Sequence, residues 1–156
     1  MGCYPAHKPK HLVELESGSV IGIARFRLSD DYYPAMFLIT SNKSKSLLSV
    51  SFIGTVQPED FQSSRADVTT QLAGLSPGFH YLVDFTHLEL MGLECMTELG
   101  RLMDLLKQAG VGLVVRIIPD PSKDIGMNIL TIFHYPPELK VVTCENLAEA
   151  VKALGL

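Results

Sequence analysis

Arg116 is the residue most out of keeping with its neighbours. It is the single charge in the run Val111 to Ile118, which otherwise holds only glycine, valine, leucine and isoleucine. A guanidinium in such a run either meets an anionic ligand or forms a structural ion pair, because a buried charge is costly unless paired. Asp84 and Asp120 are the carboxylates expected near it, and pairing with one of them is the favoured reading. Asp120 and Lys123 follow the run and complete, with Arg116, a candidate set for a small apolar or anionic ligand. Each also has a plainer role, Asp120 as a helix cap and Lys123 as a solvated surface charge. A second set brackets the stretch before the next helix. Thr86, His87, Gly92, Glu94 and Thr97 offer hydroxyls, an imidazole and a carboxylate for docking a protein partner. Glu94 is also favoured there simply by the helix dipole.

Other reactive side chains have bland explanations. Cys95 near a helix start would have a lowered thiol pKa, but it falls on an apolar stripe, where a buried and inert thiol is expected. His134 is favoured when charged at a helix C-terminus. His80 and His87 are too isolated for a metal site. The chain has no Gly-x-Ser-x-Gly elbow, no phosphate-binding Gly-Lys-Ser loop and no His-Glu-x-x-His pattern. No catalytic residue, metal or cofactor is expected.

The elements that must position these residues are legible from Met36 onward. Met36 to Thr40 and Leu48 to Phe52 read as two strands of an antiparallel hairpin, closed by Gly54; the second alternates Leu48, Val50 and Phe52 with serines. Pro58 opens a helix with Glu59 and Asp60 in its first turn. Phe61, Arg65, Val68, Leu72 and Leu75 share one face, with Arg65 lying along it by its aliphatic stem. Tyr81 to Thr86 is a buried strand, His87 to Met91 a turn, and Gly92 to Ala109 a helix. Cys95, Met96, Leu99, Leu102, Met103, Leu106 and Ala109 form its stripe, and Gly110 ends it. Val111 to Ile118 is a strand covered on both faces. Asp120 and Pro121 start a third helix whose apolar face is Ile125, Ile129, Ile132 and Phe133. The polar stripe opposite, Asp124, Asn128, Thr131 and Tyr135, is read as its solvent side. Lys140 to Val142 is a last strand. Thr143 caps the last helix, whose Leu147, Ala150, Val151 and Leu154 face inward.

This alternation predicts an α/β fold: a mostly parallel sheet with one antiparallel edge hairpin and about four helices. Ligands in such sheets sit beyond the carboxyl ends of the strands, where helix N-termini gather. Residues 1–35 read as an N-terminal extension to a domain of 36–156. Met1 to Lys10 looks like a loose tail, and Val20 to Leu28 like an extra edge strand.

Composition narrows the function classes. Of 156 residues, 47% are hydrophobic and 19% charged, so the chain folds around a core. A net charge of −4 argues against a nucleic-acid partner. No apolar run approaches the ~18 residues of a membrane span. The N-terminus is too polar for a secretory signal. Three cysteines, Cys3, Cys95 and Cys144, suit a reducing cytoplasm better than a disulfide framework.

The chain from Met36 to Leu156 resembles the STAS domain, the fold of bacterial anti-sigma-factor antagonists, and more narrowly the stand-alone SpoIIAA-like proteins. The resemblance is carried by Phe52-Ile53-Gly54, by Pro58-Glu59-Asp60, by Val83-Asp84-Phe85-Thr86-His87-Leu88-Glu89-Leu90-Met91 and by Leu147-Ala148-Glu149-Ala150. It implies a regulatory module that docks a protein through its second helix and the loop before it. A small-ligand carrier is the alternative, and a homodimer is left open. Regulatory members carry a phosphorylatable serine at the start of that helix. Here Met91-Gly92-Leu93-Glu94-Cys95-Met96 has no hydroxyl, and Glu94 stands about where the serine would be. The resemblance therefore implies a module without that switch.

Overall fold

The computed structural model describes residues 13–15, 19–23 and 35–156. Its strands are β1 (Val13–Leu15), β2 (Ser19–Ile23), β3 (Met36–Asn42), β4 (Leu47–Val56), β5 (His80–Asp84), β6 (Leu88–Met91), β7 (Leu113–Ile117) and β8 (Lys140–Cys144). Its helices are α1 (Pro58–Leu72), α2 (Met96–Gln108), α3 (Asp124–His134) and α4 (Leu147–Leu154). The strands form one sheet in the order β1-β2-β3-β4-β5-β7-β8, with β6 paired to the far end of β4. Pairs β1/β2, β2/β3 and β3/β4 are antiparallel; β4/β5, β4/β6, β5/β7 and β7/β8 are parallel. The α/β class and the four helices are as expected.

Three boundaries differ from the sequence expectation. The β3–β4 hairpin is not at the edge, because β2 pairs along β3 from Ser19↔Asn42 to Ile23↔Leu38. Gly54 does not close β4. It has a positive φ of 76° and sits at a register shift, after which Thr55 and Val56 pair with β6. A glycine can adopt that conformation, so the strand bends there and continues. The stretch expected to be a turn before α2 is thus mostly strand β6. Thr143 does not cap α4: it lies in β8, and Asn146 Oδ1 accepts from the Glu149 N–H at 3.0 Å instead. Leu147 is exposed rather than inward. The expected loose tail, Met1 to Lys10, lies outside the described residues, as does the Val20 to Leu28 stretch beyond Ile23.

The main core lies between the sheet and α1, α2 and α3. Phe37, Ile39, Leu48, Val50 and Phe52 meet Phe61, Val68, Leu99, Met103 and Leu106 there. Four aromatic rings form its centre, with Phe52 at 4.5 Å from Phe37, 5.6 Å from Phe61 and 5.1 Å from Phe85. A smaller core on the opposite face packs Ala150 and Leu154 of α4 over Leu82, Val115, Ile117 and Cys144. All these residues come from position 35 onward. The fragment 36–156 is accordingly expected to melt cooperatively, with β3 as its new edge. A non-cooperative melt of that fragment would show that residues 1–35 are needed for folding.

Candidate functional site

β5 ends at Asp84, whose Oδ1 accepts from the Thr86 N–H at 2.8 Å and from the Thr86 hydroxyl. This local turn offsets the chain without reversing it, since β5 and β6 both run parallel to β4. The Gly54 N–H then donates to the His87 carbonyl at 2.9 Å, which fixes the entry to β6. A 3-10 turn, Leu93–Cys95, leads into α2. Thr86, His87, Glu94 and Thr97 are exposed along this path, and Gly92 is half-buried. The Glu94 carboxylate folds over Gly92, where an added Cβ would collide with both its oxygens. Two large apolar residues stand among these polar groups: Leu93 is 87% exposed and Leu90 54%.

Beside this surface is a cleft of about 310 Å³ at the carboxyl ends of β5 and β7. Phe85, Leu88, Met91, Met96, Ile118 and Met127 supply much of its wall, with Glu89 and Asp120 as acidic members. Met96 and Met127 give it the adaptable lining expected of thioether side chains. Asp120 serves as the cap predicted for it, its Oδ1 accepting from the Ser122 N–H at 3.0 Å. Lys123 ends the turn Pro121–Lys123; its side chain lies outside the described part of the structure.

Arg116 does not open to this cleft. It is 3% exposed and directed at α3. Its Nη2 donates to Asn128 Oδ1 at 2.6 Å and to Thr143 Oγ1 at 2.9 Å, and lies 3.3 Å from Asp124 Oδ1. Nε reaches Thr143 Oγ1 and Nη1 reaches Thr131 Oγ1, each at 3.2 Å. Burial lowers the Arg116 pKa, opposed by the Asp124 carboxylate and Tyr135. An ion pair was expected, but its acid is Asp124 and not Asp84 or Asp120.

This network turns α3 over. The stripe Asp124, Asn128 and Thr131, read as the solvent side, faces the sheet, and buried Tyr135 lies just beyond the helix end. The apolar stripe Ile125, Ile129, Ile132 and Phe133 faces out instead. One buried guanidinium decides the outcome, since it must be matched by acceptors and apolar side chains cannot supply them. His134 sits in the last turn of α3, as its plain reading has it, and its Nδ1 also lies 3.1 Å from Asp104 Oδ1 on α2; this hydrogen bond is the main cause of a lowered Asp104 pKa.

Cys95 is fully buried with Sγ 3.4 Å from the Val56 carbonyl, and burial raises its pKa. The inert reading of this thiol agrees with that geometry. Glu98 was not singled out from sequence. It is buried on α2 and bonded to both Arg65, at 2.7 Å, and Arg101, at the edge of a second groove of about 380 Å³ between α1 and α2. Its place on the apolar stripe, one residue before Leu99, was the available signal. Among the described residues no group of histidine, cysteine or carboxylate side chains is arranged to hold a metal ion, and no helix is long and apolar enough to cross a membrane.

No family model and no curated protein matches the chain. Solved structures do. An uncharacterised protein of the DUF3478 family from Shewanella loihica PV-4, described as having a SpoIIAA-like fold, superposes with a TM-score of 0.55 at 20% identity, over 92% of this chain and 99% of that one. The fold is SpoIIAA-like. An anti-sigma factor antagonist from Mycobacterium paratuberculosis also matches, with a TM-score of 0.49 at 20% identity over 78% of this chain and 95% of that one. The match to the Shewanella protein bears out, as to fold, the resemblance drawn from Phe52-Ile53-Gly54, Pro58-Glu59-Asp60, the Val83 to Met91 stretch and Leu147-Ala148-Glu149-Ala150. In this chain β6 and the first residue of α2 supply part of the cleft wall, through Leu88 to Met91 and Met96.

Proposed function

We propose that this protein is a non-enzymatic, cytoplasmic STAS-type module that docks a protein partner through β6 and the start of α2, without a phosphorylation switch at that site. The observation that carries this reading is the exposure of Leu93 and Leu90 along a stretch of chain whose Thr86, His87, Glu89, Glu94 and Thr97 are also exposed. An apolar centre with a polar rim is the common anatomy of a protein interface. Glu94 contributes a permanent single charge where a phosphoserine would carry about −1.5 to −2.

The test begins with a photo-reactive residue at Leu93 in native cells to trap the partner. Leu93→Asp is then expected to abolish capture while the melting curve stays unchanged, because Leu93 packs against almost nothing. Glu94→Ser is expected to change the affinity at low salt and less at high salt, since exposed charges are screened. The reading fails if both variants bind the trapped partner as the wild type does.

The cleft favours a second reading, a carrier of a small apolar ligand. Its volume of about 310 Å³ is at the lower end of ligand-sized pockets. With Glu89 and Asp120 in the wall, a neutral or cationic ligand suits it better than an anion. Native mass spectrometry of the purified protein would reveal such a passenger.

A further inference from the structure

The outward side of α3 is a separate surface from the one just described. Ile125 is 68% exposed, Ile129 52%, Ile132 78% and Phe133 77%. The helix's charged and amide groups are turned away from this face: Asp124 and Asn128 engage Arg116, and His134 engages Asp104. A face this apolar on a water-facing helix marks a binding surface.

We propose that a second copy of this chain covers it, the two α3 helices packing antiparallel across a two-fold axis that passes beside Ile129. Three features favour a copy of itself as the occupant. The first is symmetry of spacing. Ile125 and Phe133 each stand four residues from Ile129, so the two-fold sets Ile125 of one copy against Phe133 of the other and Ile129 against its own counterpart. That is the self-complementarity an isologous contact requires, at the i, i+4, i+8 spacing of a helix seam. The second is shape. Gly126 has nothing within 4 Å of the place its Cβ would take. It lies three residues before Ile129, on one flank of the stripe, where the missing side chain leaves room for a facing helix to come close. The third is area. Fully exposed, residues of this size present on the order of 150–200 Å² each, and here between 52% and 78% of that is open. The four together give roughly 500 Å² per copy, and a pair of copies reaches the ~1,000 Å² at which an interface becomes specific. The absence of charge from the face removes the like-charge clash that a two-fold would impose.

Analytical ultracentrifugation of the full chain over a concentration series is expected to show a monomer–dimer equilibrium with micromolar dissociation. Ile129→Glu places two carboxylates at the axis and is expected to raise the dissociation constant at least ~100-fold. Ile129 is half exposed, so the fold is retained; Phe133→Lys, at a still more exposed position, is expected to dissociate the dimer in the same way. In a Cys3→Ser background, Ile129→Cys is expected to be joined to its counterpart by a short bis-maleimide, whereas Thr69→Cys, on the exposed side of α1, is not. A wild type that stays monomeric at roughly 100 μM, or a dimer unmoved by both charge substitutions, overturns the proposal. So does a monomer that co-sediments with phosphatidylcholine vesicles through this face, which would assign α3 to a lipid surface. None of these outcomes bears on the docking of Leu93.

Discussion

Arg116→Met is expected to cost about 3 kcal/mol of folding stability, seen as a fall of roughly 6–12 °C in the melting temperature of a chain this long. Methionine fills much of the space but offers no donor. Asn128 Oδ1 and Thr143 Oγ1 then lose the N–H groups that lie within 3.2 Å of them, and Asp124 loses its cation. Asp124 is 23% exposed, so water compensates part of its loss and the cost stays below that of a fully buried broken pair. Arg116→Lys should fall between, since one ammonium cannot serve Thr143, Thr131 and Asn128 together. The loss should also be local: amide exchange in α3 is expected to accelerate more than exchange in β4 or β5. A melt of Arg116→Met that matches the wild type would show that something other than this network holds α3.

Phe52→Ala is expected to cost about 4 kcal/mol, in the range for truncating a buried aromatic. Phe52 is fully buried and touches three rings, so its removal leaves a cavity that rigid neighbours cannot fill. Phe85 stacks on it at an interplanar angle of 6° and also lines the cleft, which links the core to the candidate ligand site. Phe52→Leu should recover more than half of the loss. Urea denaturation of the three proteins would measure both steps. A Phe52→Ala variant destabilised by less than about 1 kcal/mol would mean that the four-ring cluster repacks freely.

The sequence disclosed periodic elements well and the orientation of an amphipathic helix poorly. The β4 alternation and the α2 stripe each point one way, because every polar residue on those elements has solvent to face or, like Glu98, an arginine to meet. α3 has two self-consistent stripes. Hydrophobicity alone buries Ile125, Ile129, Ile132 and Phe133, whereas the structure turns Asp124, Asn128 and Thr131 toward Arg116 and buries Met127 beside them. Both facts were readable separately: Arg116 as the odd charge in its run, and Asp124, Asn128 and Thr131 as aligned acceptors. What was missing was the register that sets β7 under α3. β6 was missed for a related reason. Leu88 to Met91 has little alternation, and its strand form depends on the end of β4, more than thirty residues earlier in the chain. The candidates Thr86, His87, Glu94 and Thr97 are all exposed, with β6 and a 3-10 turn between the first two and the last two. Arg116 and Asp120 do not share a site.

The strand order has a consequence for how the protein is made. With β6 set aside, the strands lie across the sheet in the same order as along the chain. Each new strand leaving the ribosome can therefore settle on the free edge of the one before it. None has to wedge between two that are already joined. Synthesis runs from the N-terminus, so the antiparallel half has emerged before the crossovers begin, and each crossover needs only its immediate predecessor. The pairings that close late are mostly those of neighbours, which keeps the loop entropy of each step small.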